Sequence, residues 1–231
     1  MKVDIGVIGA LSEEVAGLIS RLDLHRSESI GGIEFHTGEI FGKKVAVAKC
    51  GVGKVFAAMC AEAMIVAYSP KLIINTGVAG ALDKGLVTGD IVIADKLCQH
   101  DMDTSPLGDP KGMISGINVI YMNCDERAVS LLATAGERLS CRVDCGIVAS
   151  GDRFIASPED KLAITGDFGA VACEMEGAAI AQVAFVNKTP FVVVRAISDS
   201  ADGEATMDYM TFLPIAAERS ESLTLDLIKS Y

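Results

Sequence analysis

The period of the apolar positions changes repeatedly along this chain, and the changes predict strands alternating with helices. Val3-Asp4-Ile5-Gly6-Val7-Ile8 reads as a first strand that turns at Gly9-Ala10. Val15, Leu18, Ile19 and Leu22 then recur at helical spacing, with Ser12 expected as the N-cap. Residues 33–38 and 43–48 read as a hairpin around Phe41-Gly42. Cys50-Gly51-Val52-Gly53-Lys54 introduces a helix running to about Tyr68. Leu72-Ile73-Ile74-Asn75 is a buried strand expected to end in a glycine-rich turn, Thr76-Gly77-Val78-Ala79-Gly80. After the strand Ile91-Val92-Ile93-Ala94 comes a polar stretch, residues 100–118, of a length that is usually functional or packed on a neighbour.

Residues 125–139 read as an amphipathic helix and residues 145–150 as a strand. Ser157 followed by Pro158 opens a short helix. Phe191-Val192-Val193-Val194 is a fully buried strand, and a long helix follows from about Met207 to Lys229, its apolar side formed by Phe212, Ile215, Ala216, Leu223 and Leu227. The alternation predicts an α/β fold, a three-layer α/β/α sandwich around a central mixed β-sheet, with residues 1–231 forming one domain.

Composition narrows the function classes. Half of the residues are hydrophobic, enough for a sizeable core, and the 23 glycines suit many tight strand–helix turns. A net charge of −11 argues against nucleic acid or an anionic membrane surface as partner, since phosphates are bound by clustered Lys and Arg. No apolar run reaches the length of a membrane span, and Met1-Lys2-Val3-Asp4 does not read as a signal peptide. Seven scattered cysteines without metal-ligand spacing read as reduced core residues of a cytoplasmic protein.

The candidate chemistry lies at strand ends. Cys173-Glu174-Met175-Glu176-Gly177 places two carboxylates between an apolar approach and a small-residue helix, and Phe191–Val194 runs into Arg195 and then Ser198-Asp199. Open α/β sheets keep their sites at such ends, and a buried charge is costly unless paired or used. Glu13 and Glu14 sit in a first helical turn, where the dipole favours anions; Glu13 reads as capping charge, Glu14 equally as a site residue. The Gly51-x-Gly53-Lys54 string lacks the spacing of a phosphate loop, and its glycines read as allowing close backbone approach to a ligand. His100 with Asp101 and Asp103 offers metal-donor types but no further ligands, so it reads as a surface or interface loop. What remains is carboxylate chemistry without metal or cofactor, a pattern that fits cleavage at an anomeric carbon.

Five segments, Gly9-Ala10-Leu11-Ser12-Glu13-Glu14, Asn75-Thr76-Gly77-Val78-Ala79-Gly80, Ser150-Gly151-Asp152-Arg153-Phe154-Ile155, Glu174-Met175-Glu176 and Arg195-Ala196-Ile197-Ser198-Asp199, together resemble the 5′-methylthioadenosine/S-adenosylhomocysteine nucleosidases. These belong to the purine nucleoside phosphorylase and uridine phosphorylase superfamily, and the resemblance spans nearly the whole chain. It implies hydrolysis of the N-glycosidic bond of 5′-thio-substituted adenosines. In its terms Glu14 activates the attacking water, Arg195 helps place that water, and Asp199, oriented by Ser198, protonates adenine N7. Glu176 grips the ribose hydroxyls, Met175 packs under the ribose, and Glu174 supports that wall; Glu174 reads equally as a structural acid, and Met175 and Phe154 as core filling. Phe154 stacks on adenine, the Ile155 backbone reads its edge, and Gly80 lies beside the base. Leu11, Val52 and Tyr209 line the 5′-alkylthio pocket, and Leu107 reaches the pocket of a neighbouring subunit, which implies a homodimer. Val78 stands where some members carry a hydroxyl, and Leu107 where some carry an aromatic residue.

Two alternatives stand beside hydrolysis. A phosphorylase of the same superfamily requires a cationic pocket at the first strand–helix turn, where this chain has Glu13 and Glu14. An inactive nucleoside-binding member is expected to lose Glu14 or Asp199, and both are present. Deoxyadenosine derivatives and aminofutalosine remain as further substrates.

Overall fold

The computed structural model describes residues 2–202 and 205–231. The elements in chain order are β1 (Ile5–Gly9), α1 (Ser12–Ser20), β2 (Asp23–Ile30), β3 (Ile33–Ile40), β4 (Lys43–Lys49), α2 (Lys54–Tyr68), β5 (Leu72–Ala81) and β6 (Ile91–Gln99). A single 3₁₀ turn at Ser105–Leu107 is followed by β7 (Met122–Asn123), α3 (Glu126–Gly136), β8 (Val143–Ser150), α4 (Pro158–Phe168), β9 (Ala172–Glu174), α5 (Gly177–Asn187), β10 (Phe191–Asp199) and α6 (Ala205–Ser230).

One mixed sheet runs in the order β10-β6-β8-β9-β5-β1-β4-β3-β2, and β10 also pairs with β5. That extra pairing closes β5, β10, β6, β8 and β9 into a ring. β10 is parallel to β5 and antiparallel to β6, whereas β6, β8 and β9 run parallel to one another. Five of the helices gather in two groups, α2 with α5, and α1 and α3 with α6, while α4 packs on β8. Every residue of β1 and β10 is buried, as expected of strands covered on both faces. The expected sandwich around a mixed sheet is what forms.

Local chemistry explains where the elements differ from expectation. Ser12 is the first residue of α1 rather than its cap; the cap position is Leu11, and the Glu14 carboxylate reaches back to its N–H. The glycine-rich segment 76–80 is no turn but the second half of β5. It pairs with β10 and β9, and its glycines leave room for neighbouring side chains, the Glu14 carboxylate beside Gly77 and Asp199 beside Gly80. β2 was not foreseen, because all but the last of its residues are exposed and carry no apolar alternation; pairing with β3 alone makes it a strand. In α6, Ala216, Leu223 and Leu227 are buried as expected, but Ile215 is exposed and Ala217 takes a core position.

Ser157 caps α4, its hydroxyl accepting the Asp160 N–H at 3.1 Å with Pro158 at the first helical position. Ser157→Ala is expected to cost about 1 kcal/mol of unfolding free energy. Ser12→Ala, which removes no cap, should stay within about 0.5 kcal/mol. Urea unfolding of the two variants checks the contrast.

Candidate active site

The ends of five strands and the starts of four helices converge on one pocket. Its wall is formed by Ala10, Leu11 and Glu14 after β1, by Val78 and Gly80 on β5, and by Val52 just before α2. Phe154 and Ile155 follow β8; Cys173 and Glu174 end β9, with Met175 and Glu176 leading into α5; Ser198 and Asp199 end β10; Tyr209 comes from α6. Phe154 and Tyr209 meet edge to face, their centroids 5.6 Å apart at 80°.

Behind this wall lies a buried ion pair. Arg195, in the middle of β10 and 2% exposed, donates to Glu174 Oε2 at 2.5 Å and also to Asn75 Oδ1. Glu174 additionally accepts from the Ser150 hydroxyl and from the N–H groups of Glu176 at 3.0 Å and Gly177 at 2.7 Å. Burial alone would raise its pKa, but Arg195 and these hydrogen bonds hold it below the usual carboxylate range. Glu174 is therefore ionised.

Glu14 is held differently. Its Oε2 accepts the N–H of Ala10 at 2.6 Å and of Leu11 at 2.9 Å, while Oε1 accepts the Val78 N–H at 3.1 Å. Desolvation nonetheless carries its pKa upward, against the pull of Arg195 and of those N–H groups. Gly77 is where Glu14 and Arg195 close in: a Cβ there would run into the Glu14 carboxylate and come within 2.9 Å of Arg195 Nη1.

Glu176 takes one N–H, from Gly53 to Oε1 at 2.8 Å. Burial, followed by repulsion from Glu174, pushes its pKa to about 8. Asp199 accepts from Ser198 Oγ and from the Ala201 N–H, both at 2.9 Å, yet desolvation again raises its pKa, reinforced by Asp208 and Asp202. The site thus holds one committed anion, Glu174, and three acids whose proton affinity is raised by burial.

With that geometry in place, comparison with known proteins decides the family. A model of the phosphorylase superfamily matches residues 4–229. The 5′-methylthioadenosine/S-adenosylhomocysteine nucleosidase of Actinobacillus succinogenes is 40% identical over 225 residues, covering 97% of both chains. The chain belongs to this nucleosidase family of the phosphorylase superfamily. The solved structure of the nucleosidase from Neisseria meningitidis, in complex with methylthio-immucillin-A, matches with a TM-score of 0.96 at 35% identity, covering 99% of both chains. The futalosine hydrolase of Helicobacter pylori strain 26695 matches with a TM-score of 0.95 at 33% identity, over 99% of this chain and 98% of that one.

Among the residues that the nucleosidase resemblance singled out, Leu11, Glu14, Val52, Gly80, Phe154, Ile155, Glu174, Met175, Glu176, Ser198, Asp199 and Tyr209 all line the pocket. Arg195 does not; it stands behind Glu174. Leu107, in the 3₁₀ turn, is 83% exposed and lies outside the pocket of its own chain. His100, Asp101 and Asp103 form no metal cluster among the described residues; Asp101 pairs with Lys54, and Asp103 accepts the Ser105 N–H. Sequence reasoning assigned no role to Asn75, Ser150 or Cys173. The available signal for the first two was a polar residue inside an apolar strand, which a charge-led search passes over. Cys173 looks like any core thiol until β9 pairs with β5 and sets it against Gly80.

The proton on Glu176 links the site to stability. In the folded chain this group holds its proton to about pH 8, against an ordinary value of 4.5. Between those values the folded state binds the extra proton, so stability falls as pH rises. Glu176→Gln should flatten that fall, and denaturant unfolding of both proteins at pH 5 and pH 8 measures it.

Proposed function

We propose that this chain hydrolyses the N-glycosidic bond of 5′-methylthioadenosine and S-adenosylhomocysteine, releasing adenine and the 5′-thioribose. The observation that carries hydrolysis over phosphorolysis is the occupancy of the first strand–helix turn. The N–H groups of Ala10, Leu11 and Val78 are all engaged by the Glu14 carboxylate. Converging N–H groups after a strand are the usual seat of a phosphate. Here the protein's own anion occupies that seat, and a second anion against it would be repelled at short range.

The roles follow from the electrostatics. Asp199, its proton affinity raised by burial, gives a proton to adenine N7 as the C1′–N9 bond breaks and its electron pair moves into the base. The sugar is left with oxocarbenium character, which Glu176 in its ionised form stabilises while gripping the ribose hydroxyls, Met175 packing beneath. Glu14 takes the proton of the water that bonds to C1′, and Arg195 supports its placement through Glu14. Phe154 stacks on the base, with the Ile155 backbone and Gly80 at its edges. Leu11, Val52 and Tyr209 give the 5′-alkylthio group an apolar seat, and no cofactor is needed.

The assembly belongs to the same reading. Val55, Met59 and Val66 on α2 and Phe185 and Val186 on α5 leave apolar side chains exposed on two helices that pack together. This supports a homodimer in which Leu107 reaches the neighbouring pocket, each chain working as one domain. Among the described residues no helix is long and apolar enough to cross a membrane. Seven free cysteines suit the reducing cytoplasm. Futalosine-type nucleosides are a second substrate reading, favoured by the likeness to the futalosine hydrolase.

Purified protein should release adenine from 5′-methylthioadenosine in phosphate-free buffer, with free thioribose as co-product; strict dependence on phosphate would make it a phosphorylase. Asp199→Asn should lower kcat by about 10²- to 10⁴-fold with the fold intact, and a near-normal rate would remove Asp199 as the acid. Glu14→Gln should bind the nucleoside but not hydrolyse it, as equilibrium binding of 5′-methylthioadenosine would show; loss of binding would recast Glu14 as structural.

A further inference from the structure

Three segments left over by the chemistry meet behind the pocket wall: Gly51-Val52-Gly53-Lys54, His100-Asp101 and Gly151-Asp152. One Asp101 oxygen accepts from Lys54 Nζ at 2.6 Å, and the other accepts the Asp152 N–H at 2.9 Å. The Asp152 carboxylate accepts the Lys54 N–H at 2.8 Å, which closes a ring. Lys54 Nζ also donates to Gln99 Oε1 at 3.0 Å, and the Gln99 amide continues to Gln182 Oε1 on α5 at 2.6 Å. The charged side chains of Lys54 and Asp101 are only 19% and 23% exposed. Lys54 is moreover the first residue of α2, where the helix dipole opposes a cation. A lysine is held there against the local field, and the Asp101 carboxylate, with the Gln99 amide oxygen, offsets it.

The ring abuts the pocket on two sides. Immediately before Lys54, the Gly53 N–H donates to Glu176 at 2.8 Å, and Val52 lines the pocket. Immediately after Asp152 come Arg153, Phe154 and Ile155, which line the opposite wall. The two segments lie close together: Gly53 has φ +100°, and a Cβ there would come within 3.0 Å of Asp152 Oδ1. Any loosening of the ring moves the donor that aims Glu176 and the platform that carries Phe154 relative to each other.

We propose that Lys54, with Asp101 and Asp152, is a positioning residue that fixes the Gly53 N–H on Glu176 and sets its distance from the Phe154–Ile155 segment. The inference rests on the reading of Glu176 as the group that grips the ribose hydroxyls. None of the three side chains needs to touch substrate. Their effect is geometric, and a displacement of about 1 Å in such a site costs on the order of a hundredfold in rate.

The test is a cycle between protein and substrate. kcat and KM are measured for 5′-methylthioadenosine and its 3′-deoxy analogue with the wild type, Lys54→Met and Asp101→Asn, and thermal unfolding is followed in each. Lys54→Met retains the aliphatic stem and Asp101→Asn the side-chain shape, so one variant remains readable should the other fail to fold. The wild type should show a clear loss of kcat/KM on removal of the hydroxyl. In the variants kcat/KM on the parent nucleoside should fall about tenfold to a hundredfold, and the hydroxyl penalty should shrink severalfold, because a misaimed Glu176 has little left to lose. General weakening of the fold would lower both substrates by the same factor. A full hydroxyl penalty retained in both variants overturns the positioning role and leaves the reading of Glu176 standing. Absence of the penalty in the wild type overturns the reading of Glu176, and the inference with it.

Discussion

The interaction on which the rest depends is the buried pair of Arg195 and Glu174. Removing a guanidinium and a carboxylate from water costs several kcal/mol per ion, and the attraction between them offsets this only when every remaining donor and acceptor is also used. Here most of them are. Glu174 collects Arg195, the Ser150 hydroxyl and two N–H groups at the start of α5, and Arg195 adds Asn75, whose amide continues to the Ile8 carbonyl at 2.9 Å. The partners come from β10, β9, β8, β5 and β1, so the pair ties together strands that the ring closure brings into reach. Satisfying one ion pair therefore sets the relative positions of the strand ends that carry the pocket.

That arrangement also dictates how the other acids behave. One guanidinium can neutralise one neighbouring carboxylate well, and Glu174 has the direct contact. Glu176, two residues on, meets a fixed negative charge in a desolvated setting and keeps its proton to about pH 8. Glu14 feels Arg195 less closely and is held by three N–H groups, a compromise that leaves its pKa raised by burial. Asp199 lies apart, its proton affinity set by desolvation and by the acidic neighbours Asp208 and Asp202. One positive charge unequally divided thus leaves Glu174 ionised, while burial raises the proton affinity of Glu176, Glu14 and Asp199.

Much of this was legible in the chain, and the reasons for success and failure are physical. Buried strands such as 191–194 declare themselves by β-branched runs, and charges at their ends stand out because the core cannot absorb them unused. The hairpin at Phe41-Gly42 and the Ser157 cap were readable because their chemistry is local. β2 was not, since an exposed edge strand obtains its structure from a partner and leaves no apolar pattern. The 76–80 segment misled because glycine marks both turns and close packing, and only the pairings with β9 and β10 decide between them. Asn75 and Ser150 were overlooked for a related reason: a neutral polar residue in a strand acquires meaning only once the charge that it satisfies is known.

The contrast between hydrolysis and phosphorolysis then reduces to what fills one turn. A strand that ends in small residues and enters a helix leaves N–H groups pointing into the pocket, and such a turn binds an anion regardless of where the anion comes from. In this chain a side chain three residues into α1 bends back and supplies it, at the cap position where a serine would otherwise serve. On the proposed mechanism the same carboxylate completes the helix, occupies the place of a phosphate and presents a base to water. On that mechanism helix capping and choice of nucleophile are one interaction, so neither can be changed without changing the other.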